Sequence, residues 1–523
     1  MDSWNPGRFV VTALLAACLC LCTAHAFADD WSRWGRTSSA NMVSPETGLP
    51  SVFEPSAKAP EEAFSKKGGS PNIRWVAKLG SQTYGNASVS GGRVFVGTNN
   101  ASPRLPYLVG DRGILMSFDA GDGSFQWQLS TPKLGSRRSN EWEQLGLCSS
   151  PTIEGDRLYV ITNRAEVLCL DVKGMADGNQ GPFVDEEKYR QVPGQKPAKV
   201  GGQEADILWR FDLRTELGVF PHNIAASNVL VVGDKVYVNT SNGQDWSHRS
   251  VPSPVAPALV ALDKKTGKLL GEENAGISER LLHGSWSSPS YGEVGGKGMV
   301  FFGGGDGYCY GFEPEPSQHP DGFGELKEIW RVDANPANYR AVDGVPVPYH
   351  RRGGPSEIIA TPVFHDNRVY SITGQDPSHG PGQGALTCIN PTLKGDVSKS
   401  GKVWTFDGIG RSVSNVSIKD GLLFAADLSG KIYCLDALSG AQHWVHDSRA
   451  VTWSSPVIAD GKVYIGNEDG DMLIFEASKS KKLIHTARFP APIYSSVVVS
   501  DKALFITTQT HLYKIQETPE QAP

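Results

Sequence analysis

The C-terminal part of the chain repeats itself with a period of 40 residues, a spacing shared by Asp436, Glu476 and Gln516. The segment SVSNVSIKDGLLFAADLSGKIYCLDALSGAQHW aligns with WSSPVIADGKVYIGNEDGDMLIFEASKSKKLI and with IYSSVVVSDKALFITTQTHLYKIQE. Five earlier copies make eight in all, and they begin at Asn86, Ser149, Ser227, Trp286 and Ala360. A repeat of this length limits the fold to one built from similar supersecondary units.

Each unit contains an apolar run, a Gly/Asp turn, an alternating run, a third run that ends in an acid or amide, and often a fourth that reaches Trp. Four short antiparallel strands in some 40 residues are typical of a propeller blade. The last unit lacks its fourth strand, whereas IRWVAKL at 73–79 precedes the first unit. The sequence therefore predicts an all-β, eight-bladed β-propeller of four-stranded antiparallel blades, whose ring is closed by an N-terminal strand that completes the last blade.

The composition agrees with short strands and turns, because the 523 residues include 58 Gly, 34 Pro and 13 Trp. The formal net charge of −6 gives no broad basic field, and this argues against nucleic acid as a partner. No apolar run of membrane-spanning length follows the N-terminal region, so we expect no transmembrane segment in the mature chain. We also expect a monomer.

The N-terminus has the layout of a secretory signal, with a basic start, an apolar run and Ala-x-Ala sites that end at Ala26 and Ala28. The rival reading is a lipoprotein box, Leu15 to Cys18, which would place a lipid on Cys18. We therefore predict a signal peptide at 1–28, a leader segment at 29–72, the propeller at 73–517 and a tail at 518–523. The protein is expected to be exported, to the periplasm, the cell surface or the medium.

Five cysteines remain after removal of the signal, an odd number that does not indicate a disulfide framework. Four of them fall in a third-strand column that predicts buried, unpaired thiols; it reads Ser117, Cys169, Ala261, Cys309, Cys388, Cys434, Ile474 and Lys514. Asp436 belongs to a second column that predicts turns closed by backbone hydrogen bonds and a following Gly. His443 has no counterpart, and we predict that it is exposed.

Long insertions fall in the two loop classes that emerge on the same face of a propeller, and they predict a binding surface; they are 98–113, 130–147, 243–257, 334–356 and 375–384. The insertion 173–204 is expected on the opposite face as a solvated loop. Within the binding face, loop 242–257 is the first choice because prolines brace it around Trp246 and His248. The alternative is that Trp246 folds back over a neighbouring blade.

The position that enters each innermost strand, beside the central channel, forms a predicted collar that reads Tyr84, Cys148, Ala226, Trp286, Ile359, Val413, Trp453 and Tyr494. Its four aromatic members could stack on a flat ring system, or they could simply plug the channel. Arg351, Arg352, His222 and His283 are predicted near enough to contact anionic groups of a ligand. No set of residues has the spacing of a metal site, so no metal ligands are predicted.

The segments DALSGAQHW and WSSPVIADGKVYIGNEDGDMLIFEA resemble the tryptophan-bearing repeats of the PQQ-binding-like β-propeller family, within the quinoprotein alcohol dehydrogenase-like superfamily. The resemblance covers roughly 31–516. It implies either a dehydrogenase that holds pyrroloquinoline quinone (PQQ) with calcium, or a protein-binding subunit such as the lipoprotein of the outer-membrane barrel assembly machinery.

The family's dehydrogenases carry adjacent cysteines beside the cofactor, and this chain has no Cys-Cys pair and no CxxCH haem site. Their calcium ligands also find no matched positions. We therefore predict a binding or scaffold protein that holds a protein, glycan or small molecule on its long-loop face and requires no cofactor. The alternative is a PQQ-dependent alcohol or sugar dehydrogenase with calcium, in which Trp286 or Trp453 stacks on the quinone and an arginine pairs with its carboxylates.

Overall fold

The computed structural model describes residue 1 and residues 30–66, 68–192, 194–195, 198–318, 320 and 324–518. The predicted signal peptide with its cleavage sites, the alternative lipid site at Cys18 and most of the tail lie outside the described residues. No helix among those residues is long and apolar enough to cross a membrane.

Eight antiparallel sheets surround one axis, so the predicted eight-bladed β-propeller is confirmed. In chain order, the strands of blades 1 to 4 are Ser88–Ser90, Arg93–Asn99, Arg112–Asp119 and Phe125–Pro132; Thr152–Glu154, Arg157–Ile161, Glu166–Asp171 and Ile207–Asp212; Leu230–Val232, Lys235–Asn239, Leu259–Asp263 and Leu269–Glu273; and Ser290–Val294, Lys297–Gly303, Tyr308–Phe312 and Glu328–Asp333.

The strands of blades 5 to 8 are Val363–His365, Arg368–Ile372, Leu386–Ile389 and Lys402–Phe406; Ser417–Lys419, Leu422–Ala426, Lys431–Asp436 and Gln442–Asp447; Val457–Ala459, Lys462–Gly466, Asp471–Glu476 and Leu483–Arg488; and Val498–Ser500, Ala503–Thr507, His511–Gln516 and Ile73–Lys78. Ile73–Lys78 pairs antiparallel with His511–Gln516. The two ends of the chain thus share blade 8, and the ring closes as predicted.

Short elements decorate this ring. Two-residue or three-residue strands extend the outer edges of blades 8, 3 and 4, and a small hairpin stands apart; these are Phe64–Ser65, Ser317–Gln318, Gly324–Leu326, Gly395–Asp396, and Ala341–Val342 with Val345–Pro346. The helical segments are single turns: Arg137–Ser139, Gly174–Asp177, Glu186–Tyr189, Leu213–Leu217, Ser278–Arg280, Ala337–Arg340 and Pro377–His379.

The conserved turn chemistry of the repeat links neighbouring blades. Asp436 Oδ1 accepts the N–H groups of Leu438 and Ser439, and Gly440 then adopts a φ of 72°. The indole of Trp404, from the blade before, lies over Gly440 and donates to the backbone of this same turn. The fourth-strand tryptophan therefore docks onto the following blade, which explains why Asp, Gly and Trp recur together.

A belt of hydrogen bonds near the axis joins the innermost strands. Seven of its bonds have the same form. In each, a backbone N–H of one blade donates to the side-chain oxygen of a Ser or Asn at the equivalent position of the next blade. The residues of the belt are Asn86, Ser150, Asn228, Ser288, Thr361, Asn415, Ser455 and Ser496. The bond from Ser496 N to Asn86 Oδ1, 2.9 Å long, carries the belt across the closure of the ring.

The N-terminal segment 30–72 runs around the end of the channel that lies opposite the long loops. Its backbone bonds with the innermost strands in chain order, from Trp31 with Val89 of blade 1 to Met42 with Ile458 of blade 7. The Glu46 carboxylate then accepts N–H groups from the first turn of blade 8. Because Trp31 and Met42 are fully buried, this segment seals that end of the channel.

The predicted third-strand column needs one correction. The third-strand column is occupied as predicted in blades 2, 5 and 6, where cysteines pair with Trp209, Trp404 and Trp444. In blade 4, however, Gly311 faces Trp330, and Cys309 lies two residues away opposite Val332. The five cysteines of the described part of the chain are free, and four of them are buried.

The insertion 173–204 is only partly the solvated loop that we predicted, since many of its described residues are exposed but parts of it pack on the propeller. Its end pairs with the fourth strand of blade 1 at Gln128, and Arg190 forms a buried ion pair with Glu204. The Tyr189 hydroxyl donates to the carboxylate of Glu166 at 2.7 Å. Glu166 begins the third strand of blade 2 and therefore lies towards the long-loop face. The insertion therefore covers the outer side of blades 1 and 2. The prediction for His443 also fails, since its side chain is half-buried.

Candidate functional site

A cavity of about 570 Å³ opens at the centre of the long-loop face. All eight collar positions predicted from the repeat line its wall. Each collar residue enters the innermost strand of its blade, so the eightfold arrangement of the strands points them at the axis. The collar therefore surrounds a cavity of the size of a small-molecule site rather than filling the channel.

The aromatic collar residues lie on two sides of the cavity. Tyr84, Trp453 and Tyr494 form one cluster, with ring centroids 4.7 to 5.7 Å apart. Trp286 enters blade 4, on the opposite side of the ring, and donates from its indole N–H to the backbone of His222. The three clustered rings are only half-buried, so part of their faces is open to the cavity.

The floor of the cavity is polar. Belt residues line it together with Trp34 of the N-terminal segment, whose indole donates to Thr361 Oγ1 at 2.9 Å. The Nδ2 atoms of Asn86 and Asn415 are buried and have no hydrogen-bond acceptor among the described residues. Since a buried amide donor is costly to leave unpaired, these two groups favour a ligand that brings acceptor oxygens.

Long loops from separate blades meet at the rim. The indole of Trp142, from loop 130–147, donates to Asn223 Oδ1 at 3.0 Å. Asn223 Nδ2 in turn donates to the carboxylate of Asp376, in loop 375–384, at 2.9 Å. Trp142, Asn223 and Asp376 all line the cavity. These bonds fix the rim by tying the blade 1 and blade 5 loops to the start of blade 3.

The electrostatics of the cavity do not suit an anion. Its described lining contains no Lys or Arg, whereas Asp376 contributes a carboxylate. Arg351 and Arg352, predicted to contact anionic groups, are exposed and are not part of this wall. Burial raises the pKa of the Cys148 thiol to about 12, so the one cysteine in the lining stays protonated and is a poor nucleophile at neutral pH.

Beside the cavity, behind Trp286, the structure brings together three histidines that the sequence offered singly. His222 and His283 are buried, with Nε2 atoms 2.8 Å apart, and His248 packs over both rings with centroids about 5 Å away. His379 lies 5.2 Å from His283, ring to ring. Such a cluster of imidazoles can ligate a metal ion.

Burial lowers the pKa of His222 to about 4, and burial together with the neighbouring histidines lowers that of His283 to about 2. Both rings are therefore neutral at physiological pH, which is the form that binds metals. Trp246, the remaining predicted residue, is 49% exposed and its ring lies 6.2 Å from those of Trp142 and His248. It neither folds back into a blade nor reaches the cavity wall.

Sequence reasoning missed Trp34, Trp142, Tyr349, Asp376 and His379. All but Trp34 lie inside insertions that had been singled out, namely 130–147, 334–356 and 375–384. The presence of an aromatic or histidine in an elaborated loop was thus the available signal. The direction of each side chain could not be predicted, because an irregular loop has no period that shows which way a side chain points.

Comparisons with known proteins agree with this architecture. The family model described as outer membrane protein assembly factor BamB matches residues 72–180 and 394–518. The solved structure of BamB from Moraxella catarrhalis is 13% identical, covers 86% of this chain and 98% of its own, and has a TM-score of 0.50.

The quinohemoprotein alcohol dehydrogenase ADHIIG from Pseudomonas putida HK5 is 10% identical, covers 95% of this chain and 82% of its own, and has a TM-score of 0.55. At these identities, both likenesses concern the fold. A comparison with curated proteins finds no match.

The residues at the cavity do not fit PQQ. The quinone carries carboxylates, and the described lining offers no cation to pair with them, while Asp376 would repel them. The amide oxygens of Asn86, Asn228 and Asn415 already accept backbone N–H groups, which weakens them as ligands for calcium. We derive no chemical step through this cofactor.

Proposed function

This chain belongs to the PQQ-like β-propeller repeat family, and we propose that it is an exported binding protein rather than a quinone-dependent dehydrogenase. The fold of the family hosts more than one role, so the proposal is argued from the site. The central cavity would take an uncharged molecule with a ring, for which a sugar unit of a glycan has the right chemistry. Export rests on the signal-like N-terminal sequence.

The observation that carries the proposal is the convergence of all eight collar positions on one cavity whose described lining contains no Lys or Arg. The half-exposed faces of Tyr84, Trp453 and Tyr494 offer stacking surfaces for a ring. The Nδ2 groups of Asn86 and Asn415, which have no acceptor among the described residues, offer donors for its oxygens. A mostly apolar cavity with a few convergent polar groups is typical of a small-molecule site.

A second candidate, a protein-binding scaffold, is favoured by exposed apolar side chains on the long loops. Val255 is 87% exposed, Val345 66%, Val342 54% and Trp246 49%. The match to the family model of the outer membrane protein assembly factor BamB supports the same candidate. A protein partner would contact these loops at the rim, whereas a small ligand would contact the collar.

Calorimetric titration of the purified mature protein tests the proposal, with glucose, N-acetylglucosamine and maltotriose as uncharged probes and PQQ with Ca²⁺ as the opposing probe. Trp453→Ala removes a stacking face from the cavity, and Trp246→Ala is the matched control because it removes an exposed tryptophan outside it. Thermal unfolding of each variant establishes that it is folded.

We expect at least one sugar to bind, Trp453→Ala to abolish that binding and Trp246→Ala to leave it unchanged. Saturable binding of PQQ, or dye-linked oxidation of an alcohol when PQQ and Ca²⁺ are added, would overturn the proposal in favour of the dehydrogenase. If no sugar binds, the cavity proposal also fails, and the scaffold candidate is then tested by the loss of a captured partner in Trp246→Ala.

A further inference from the structure

We propose that His222, His248 and His283 form a site for a first-row divalent transition metal such as Zn²⁺ on the long-loop face. The site is separate from the cavity, with Trp286 between them, and it does not depend on the proposed function. The three residues come from three segments around blade 3: the segment that enters the blade, the loop between its second and third strands, and the connection to blade 4.

One ligand nitrogen of each ring lies within 4.8 Å of those of the other two. For a tetrahedral ion with Zn–N bonds of about 2.0–2.1 Å, the ligand nitrogens are about 3.3 Å apart. The Nε2 atoms of His222 and His283, at 2.8 Å, need to separate by only about 0.5 Å. The nitrogen of His248, which lies within 4.8 Å of the other two, needs to approach them by up to about 1.5 Å, a movement within the reach of an exposed side chain.

The Nδ1 atoms of His222 and His283 each have a hydrogen-bond partner on the side away from the other ring. His222 Nδ1 lies 2.6 Å from the carbonyl oxygen of Gln244, so it donates a proton there. His283 Nδ1 lies 3.2 Å from the hydroxyl oxygen of Tyr349, which in turn lies 2.9 Å from Glu357 Oε1. Such outer partners fix the tautomer and orientation of metal-binding histidines.

Because its Nδ1 donates to Gln244, His222 presents the lone pair of its Nε2 towards His283 Nε2, 2.8 Å away. In the metal-free chain His283 can donate an Nε2 proton across this contact, and a divalent ion can take the place of that proton and bind both nitrogens. The buried pair therefore offers two imidazole nitrogens to one ion.

His248 is held over the buried pair by a tight turn. The Asp245 carboxylate accepts from Ser247 and Ser250, and Asp245 O accepts the His248 N–H at 3.0 Å. His248 itself has a φ of 54°, a conformation that side chains other than Gly seldom adopt. The turn thus maintains an unfavourable backbone that directs an exposed imidazole towards the other two.

His379 supplies a candidate fourth ligand. Its ring lies 5.2 Å from that of His283, and its Nδ1 is buried without a partner among the described residues. Imidazole nitrogens without thiolates suit Zn²⁺, Cu²⁺ and Ni²⁺ rather than the oxygen-preferring Ca²⁺ and Mg²⁺. Four histidines, or three histidines and a water, complete the four-coordinate site that Zn²⁺ takes in proteins.

The test uses the mature protein without a polyhistidine tag, stripped with EDTA and exchanged into chelator-free buffer. Zn²⁺ affinity is measured by competition with a chromophoric chelator, and Co²⁺ is added separately because its visible spectrum reports tetrahedral nitrogen ligation. The variants are His248→Ala, His283→Phe and the control His365→Ala, whose histidine lies at the opposite end of blade 5, in the hairpin between its first two strands.

We expect one Zn²⁺ per chain, a tetrahedral Co²⁺ spectrum, and affinity lowered by more than about 10-fold in His248→Ala and His283→Phe, since even outer-shell changes cost 10–100-fold. His365→Ala should bind as the unaltered chain does. The proposal is overturned if micromolar Zn²⁺ does not bind, if His248→Ala binds normally, or if His365→Ala loses as much. His248 is exposed, so its variant decides the matter even if His283→Phe fails to fold.

Discussion

Replacing Trp31 tests whether the N-terminal segment is an integral part of the propeller. Trp31 is fully buried in a core that it shares with blades 1, 7 and 8. Truncating a buried tryptophan to alanine costs about 3–5 kcal/mol of unfolding free energy. Its indole N–H, however, has no hydrogen-bond partner among the described residues, and an unsatisfied buried donor costs about 1–3 kcal/mol. Trp31→Ala relieves that cost, so about 1–3 kcal/mol is regained against the ~3–5 kcal/mol lost, and we expect a net loss of about 2 kcal/mol.

Trp31→Phe separates the two contributions, because it removes the N–H and keeps one aromatic ring. We expect it to cost less than about 1 kcal/mol, because the relieved donor offsets most of a modest loss of packing. The measurement is the midpoint of urea unfolding followed by circular dichroism on the mature chain. Trp246→Ala, at a 49% exposed site, is the matched control and should change it little.

The reasoning about packing is refuted if Trp31→Ala unfolds within about 0.5 kcal/mol of the unaltered protein, the range of ordinary surface changes. The reasoning about the unpaired donor is refuted if Trp31→Phe costs more than about 1 kcal/mol, because relief of the N–H would then not offset the lost packing. A near-zero cost of Trp31→Ala would show that the segment is attached to the channel by its backbone bonds alone.

Two further predictions concern a buried acid and a turn. Burial raises the pKa of Glu273 to about 7, although the backbone N–H groups of Ala258 and Ala275 donate to its carboxyl group. The folded chain therefore holds this proton more tightly than the unfolded chain. The resulting stabilisation is greatest at acidic pH and is lost as the pH rises from the ordinary carboxyl range through about 7. Glu273→Gln should remove about 3 kcal/mol of this pH dependence in melting curves recorded from pH 4.5 to 8, and an unaltered profile would contradict it. Gly440→Ala should lower the melting temperature more than Gly461→Ala. Both glycines have a positive φ, so the backbone strain is similar. At Gly440 the new Cβ would lie 2.7 Å from the Trp404 ring, whereas at Gly461 it would meet nothing within 4 Å. Equal effects would show that the docked indole can move aside.

The repeat was sufficient to predict the blades, their number and the closure of the ring. It also predicted the collar, since a position that recurs in register must recur around the axis. Cys309 shows the limit of this reasoning. The letters Tyr308-Cys309 look like Tyr433-Cys434, yet Phe301 pairs with Gly311 just as Phe424 pairs with Cys434. The local similarity of the two sequences therefore predicted the wrong register for Cys309, which only the pairing of the strands shows.

The meeting of the histidines was decided by tertiary structure alone. His222, His248 and His283 lie 26 and 35 residues apart in irregular loops, and each was predicted only as a separate contact residue. A strand carries the period of its side chains in its sequence, because the pleat fixes which face each one occupies. A loop has no such period. Its side chains point where their bonding partners hold them, and Gln244 and Tyr349 become neighbours of His222 and His283 only when the chain around blades 3, 4 and 5 has folded.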